Sequence, residues 1–139
     1  MKTITPYLIK FAGTAFLFTL LFRYFLSYGI EEQSSIIILT TAGVYGAAMF
    51  ASGWYFGRKD GDYLPIYDVG FRFHLITFLI HNGISELWLF LGFASTYEHI
   101  DIAHYTLLFW LPFLVIHFFF YIKMRKKSIK GLYNKDLFE

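Results

Sequence analysis

The chain has no cysteine. Disulfides, thiolate catalysis and cysteine-held zinc or iron–sulfur centres are excluded together. Charge is scarce as well: Asp, Glu, Lys and Arg make up 16% of the residues, against about 25% in an ordinary soluble domain. Other absences narrow the chemistry further. There is no HExxH, no Ser–His–Asp spacing, no phosphate-cradling glycine loop and no CxxC, so metalloprotease, triad-hydrolase and nucleotide-binding signatures are missing. The sequence therefore leans away from an enzyme.

What fills the chain instead is hydrocarbon. Of its 139 residues, 57% are hydrophobic and 23% aromatic. That exceeds what one small soluble core can hide, so the surplus faces lipid. Four stretches carry the roughly 20 apolar residues that a membrane-spanning helix needs: about 7–28, 35–56, 70–94 and 103–122. They predict an all-α integral membrane protein, a single four-helix transmembrane bundle with a short basic tail over 123–139. The first stretch has no small-residue cleavage site at its far end and reads as a retained span, not a signal peptide.

Orientation follows from the cations. Lys2, Lys10, Arg58, Lys59, Arg72, Lys123, Arg125, Lys126, Lys127, Lys130 and Lys135 all fall on one side of four alternating spans. The two remaining loops carry Glu31, Glu32, Glu98 and Asp101 and no cation. Cytoplasmic sides collect Lys and Arg, so both termini are expected in the cytoplasm. A cell membrane fits, and a bacterial inner membrane best. Lys123, Arg125, Lys126, Lys127 and Lys130 follow directly on a span and read as contacts to anionic lipid headgroups, not as a nucleic-acid surface.

In the second span Gly43, Ala47 and Ala51 recur every four residues, with Ala42 and Gly46 alongside. Small residues at this period let two helix backbones approach closely. They predict packing within the bundle, or against another copy or another membrane subunit.

Polar groups at membrane depth need partners. Counting at 1.5 Å per residue puts Arg23 and Glu86 both about 24 Å from the basic side, and the pair is expected to form an ion pair. On the third span His74, His81 and Ser85 lie within about 40° of one another around the helix, and Asn82 and Glu86 continue the stripe. The stripe predicts either a hydrogen-bonded interior or a permeation path. His74 and His117 sit at similar depths, about 6 and 9 Å from the basic side, and two such histidines suit a haem iron or a metal ion. Bulky neighbours in "VIHFFFY" argue against space for a porphyrin, so no cofactor is expected first.

At the acidic surface Glu98, His99, Asp101 and His104 cluster within "YEHIDIAH" and offer a second possible divalent-metal site, although Asp101 is equally suited to cap the fourth helix. Asp60, Asp62 and Asp68 lack the glycine and glutamate spacing of a calcium loop, and Asp60–Gly61 reads as a turn. Pro112 is expected to bend the fourth helix. The leading functional expectation is a non-enzymatic multi-pass protein that works by assembly with itself or with a larger inner-membrane complex. The alternatives are a small oligomeric channel, pore-forming effector or transporter using the third helix, and a haem- or metal-binding membrane enzyme using His74 and His117.

Overall fold

The computed structural model describes residues 4–63 and 70–135, with side chains followed as far as Met124 and at Lys126. Among the described residues there are four helices and no strand: α1 (Pro6–Glu31), α2 (Ser35–Tyr63), α3 (Phe71–Phe90) and α4 (Ile100–Lys135). Three of them, α1, α2 and α4, are long and apolar enough to cross a membrane. This defines a helical membrane protein. The α3 segment is 20 residues long, about 30 Å at 1.5 Å per residue. Its sequence carries Arg72, His74, His81, Asn82 and Glu86, which lower its apolarity.

Local chemistry sets the helix ends. Thr5 caps α1, its Oγ1 accepting from the Leu8 amide at 3.1 Å, and Pro6 takes the first helical position, where no amide bond is lost. At the far end of α1 Gln33 adopts a left-handed conformation (φ 51°). The amides of Gln33 and Ser34 then bond the carbonyls of Ile30 and Gly29 at 3.0 and 2.9 Å. A β-carbon on Gly29 would lie 2.9 Å from Ile37 Cγ2, so glycine is what lets the α1–α2 corner close.

The same device ends α3. Gly92 is left-handed (φ 75°), its amide bonds Leu89 O at 3.1 Å, and the Phe93 amide bonds Trp88 O at 3.1 Å. Here α3 stops short of the expected residue 94. In α2 the difference runs the other way. The helix continues past residue 56 through "GRKDGDY", so Asp60–Gly61 is not a turn. Asp60 is 2% exposed; it accepts from the Thr5 hydroxyl and pairs with Arg72. A carboxylate bonded from two other helices stabilises the helical path that a run of exposed charges would not. Asp62 is exposed within the same helix, and Asp68 lies outside the described residues. Asp101 stands in the first turn of α4, not at its cap, where its charge still favours the positive helix end. The helix runs through Pro112 without interruption.

The helices pack in the order α2–α1–α3–α4: α1 meets α2 and α3, and α3 meets α4. One end of the bundle gathers the start of α1, the end of α2 and the start of α3 around Asp60. The opposite end gathers the end of α1, the end of α3 and the segment before α4 around Glu98. We refer to these as the basic and acidic ends. Leu8, Phe11, Ala15 and Phe73 form one apolar cluster, and Phe71, Phe78 and Leu114 a second. Toward the acidic end the buried stripe of α1 becomes polar, through Thr19, Arg23 and Ser27, while Leu17, Leu21 and Phe25 face outward. This is the inverse of a water-soluble bundle and suits a lipid surround.

On α3 the most open residues are Leu79, Gly83, Leu87 and Phe90, a single stripe four or three residues apart, with the Glu86 side chain partly open beside it. A helix so enclosed needs little apolar surface of its own, which accounts for its polar content. By contrast α2 buries only Asp60, and α4 meets α3 mainly through one stripe that includes Leu107, Trp110, Leu114, His117 and Tyr121.

Candidate functional site

Besides the Asp60–Arg72–Thr5 contact at the basic end, two polar assemblies occupy the interior. The first is at the acidic end. Arg23, 5% exposed, pairs with Glu98. Ser27 donates to the other Glu98 oxygen at 3.0 Å, and Trp88 Nε1 donates to Ser27 Oγ at 3.0 Å. The expected Arg23–Glu86 pair is not formed. Glu86 instead lies 3.4 Å from His104 of α4, and both side chains are substantially open. The physical reason is rotational. A residue count gives height along a helix but not the direction a side chain takes around it. At 100° per residue Glu86 is turned from the buried Ser85 face toward α4.

Glu98 belongs to the loop before α4, and no helical periodicity in the sequence could aim it at Arg23. Arg23 Nε is a buried side-chain nitrogen without a partner, a cost of about 1–3 kcal/mol that the pair must offset.

The second assembly crosses the bundle. Trp110 Nε1 donates to His74 Nε2 at 2.6 Å, and His74 Nδ1 meets His117 Nδ1 at 2.9 Å. An indole nitrogen can only donate, so His74 Nε2 is the acceptor. A neutral His74 therefore carries its proton on Nδ1 and gives it to His117 Nδ1, leaving the His117 proton on Nε2. Trp110 also lies against His81, the ring centroids 5.5 Å apart. His81 Nδ1 is 3.1 Å from the Tyr45 hydroxyl, which is 3.1 Å from Thr19 Oγ1. Thr19 donates to Ala15 O at 2.7 Å. Since Thr19 has one proton, its oxygen accepts from Tyr45, and Tyr45 in turn accepts from His81. The chain of contacts thus runs from α4 through α3 and α2 to α1. Tyr45 and Trp110, its two bridging residues, carry no sequence signal beyond an aromatic in an aromatic-rich helix.

The remaining expected residues fall as follows. Asn82 is buried and bonds its own helix, Nδ2 to Phe78 O at 2.8 Å, and Ser85 is buried beside it. His99 is exposed at the start of α4. Among the described residues no three His, Asp or Glu side chains converge on a metal-sized point. The His74 and His117 nitrogens stand at hydrogen-bond spacing, 2.9 Å, closer than the roughly 3.3 Å between two imidazoles each about 2.0 Å from one tetrahedral ion. Gly43, Ala47 and Ala51 are exposed, as are Ala42 and Gly46. Lys123 and Lys126 are exposed beyond the apolar part of α4; the Arg125, Lys127 and Lys130 side chains lie outside those described.

Comparison with protein-family models, curated proteins and solved structures gives no match. The chain is a helical membrane protein whose interior carries polar contacts at both ends and across its middle.

Proposed function

We propose that this chain is a non-enzymatic, multi-pass membrane subunit that acts by assembly, using the outer face of α2 against a helix of a second copy or of another membrane protein. One observation carries the reading. The stripe Ala42, Gly43, Gly46, Ala47, Ala51 is exposed along α2, and a β-carbon on Gly43 or Gly46 would meet nothing within 4 Å. Small residues turned outward leave a shallow channel along the helix. Lipid chains fill such a channel poorly, and a second helix fills it by close backbone approach.

In this reading all four helices cross the membrane, α3 as an enclosed fourth span, with both termini on the cytoplasmic side of a bacterial inner membrane. The absence of cysteine gives a clean test. A single Ala47→Cys substitution is expected to cross-link two copies through a disulfide under mild oxidation, and Phe119→Cys on the open side of α4 is not. Gly43→Leu with Ala47→Leu is expected to reduce the mass of the solubilised particle. A particle of unchanged mass, with no cross-link at residue 47, overturns the proposal.

A second reading, a small channel or transporter, draws on the His81–Tyr45–Thr19 chain, whose members can each accept and pass on a proton. Proton flux in proteoliposomes that is lost in Tyr45→Phe, with folding retained, is the result that favours it over assembly. The third, a haem- or metal-binding enzyme, needs the His74 and His117 rings to part; a Soret band or bound metal in purified protein is its test.

A further inference from the structure

At the acidic end a cavity of about 380 Å³ lies between α1, the end of α3 and the segment that follows it. Its lining residues include Tyr24, Tyr28, Trp88, Phe93 and Glu31. We propose that this cavity binds an ammonium cation, either a free amine of about choline size or the ammonium of a lipid headgroup.

The charge of Glu31 is available to a ligand. Its carboxylate accepts from Ser95 Oγ at 2.6 Å, from the Thr96 amide at 3.0 Å and from Thr96 Oγ1 at 3.1 Å. All of these donors are neutral, so they fix the carboxylate in place without cancelling its charge. The nearby Arg23 guanidinium is already matched by Glu98. Two helix ends add to the negative field. Both α1 and α3 end here, each presenting its carbonyl end, and neither has a basic residue in its last turn.

The aromatic walls are held independently of any ligand. The left-handed Gly92 that stops α3 brings Phe93 back onto Trp88, with ring centroids 5.3 Å apart and planes at 56°. Ser27 holds the Trp88 indole nitrogen. Tyr24 and Tyr28 are one turn apart on the same face of α1. Four aromatic residues and one carboxylate lining the same cavity supply the chemistry that recognises an alkylated ammonium, through ring quadrupoles and one counter-charge. A bare metal ion finds no convergent set of three acidic or histidine ligands among the described residues.

The test uses the full chain in maltoside micelles and needs no assembly partner. Each of the three tryptophans gives one indole N–H resonance, and that of Trp88 is identified by its loss in Trp88→Phe. Tetramethylammonium chloride is expected to shift the Trp88 signal saturably, while sodium chloride at the same ionic strength leaves it unmoved. Glu31→Gln is expected to weaken the apparent affinity at least 10-fold, and Tyr28→Leu at least 3-fold. Should Glu31→Gln not fold, Tyr28→Leu at an exposed position carries the test. A Trp88 signal that does not saturate, or an affinity the foldable variants leave unchanged, overturns the proposal. In nanodiscs, a weaker apparent affinity with phosphatidylethanolamine than with an uncharged glycolipid that carries no amine identifies the lipid headgroup as the occupant. Equal affinities identify a free amine.

Discussion

Removing Glu98 strands a cation. Arg23 and Glu98 have side chains only 6% and 7% exposed, and Arg23 Nε already has no partner. Glu98→Gln keeps an acceptor for Ser27 but withdraws the one counter-charge from the guanidinium. Breaking a buried pair from one side costs about 3–5 kcal/mol, because the remaining charge is left uncompensated. Arg23→Met strands the carboxylate and is expected to cost about the same. The double variant leaves neither charge and is expected to regain much of the loss. A double variant that costs less than either single one implies a coupling energy of at least about 3–5 kcal/mol, at or above the top of the range for residues in direct contact.

Glu86 supplies the contrast. It lies 3.4 Å from His104, with side chains 39% and 53% exposed, so Glu86→Gln is expected to cost no more than about 0.5 kcal/mol. The assay is equilibrium unfolding in mixed detergent micelles on the four members of each cycle. A coupling near zero for Arg23 with Glu98, or a coupling above about 1 kcal/mol for Arg23 with Glu86, refutes the arrangement described here.

Three further outcomes follow from particular contacts. Gly29→Ala is expected to destabilise by about 1–3 kcal/mol, since its β-carbon would press on the stiff, branched Ile37, whereas Gly43→Ala, with open space around it, is expected to be neutral or to stabilise by up to about 1 kcal/mol; thermal melts of the two variants check this. Asp60→Asn weakens the charge-assisted bonds that Thr5 and Arg72 make to this carboxylate and is expected to cost about 1.5–3 kcal/mol, against less than about 0.5 kcal/mol for the exposed Asp62→Asn; equal effects on the unfolding midpoint would show that Asp60 is not the residue joining the three helices. Nitrogen-15 spectra are expected to place the His74 proton on Nδ1 and the His117 proton on Nε2, an arrangement that Trp110→Phe releases by removing the indole donor; a protonated His74 Nε2 in the unaltered protein refutes the assignment.

The four helices were legible from their apolar runs, three of which (α1, α2 and α4) are long and apolar enough to cross a membrane. Partnerships between helices were legible only where one number decides them. His74 and His117 have similar heights in the count, and the structure brings their rings together. Arg23 and Glu86 also have similar heights, but the rotation of α3 separates them, and a loop carboxylate takes the place of Glu86. The "GRKDGDY" segment looked like a loop because its charges looked solvated. Asp60 is in fact neutralised by Arg72 of α3 and bonded by Thr5 of α1, contacts 12 and 55 residues away in the chain. No local pattern records such distances. The aromatic cavity was hidden for a related reason: a left-handed glycine and a loop threonine build it, and neither is apolar or periodic.

The division of labour between helices bears on what α2 is for. The bundle is joined by directional contacts: Asp60 with Arg72 and Thr5 at one end, Arg23 with Glu98 and Ser27 at the other, and the histidine–tyrosine chain between them. α2 enters those contacts through Asp60 and Tyr45, and neither lies on its small-residue stripe. Folding of a single copy therefore gives no reason for Ala42, Gly43, Gly46, Ala47 and Ala51 to be small. Larger apolar side chains would bury as well in lipid, and glycine in a helix interior costs about 0.5–1 kcal/mol relative to alanine. A stripe that folding does not require and lipid does not favour is consistent with contact to a second helix. It follows that substitutions there separate two properties that usually fail together. Gly43→Leu with Ala47→Leu is expected to leave the unfolding of the single chain unchanged while it lowers the mass of the assembled particle, and a loss of chain stability instead would place the stripe inside the bundle.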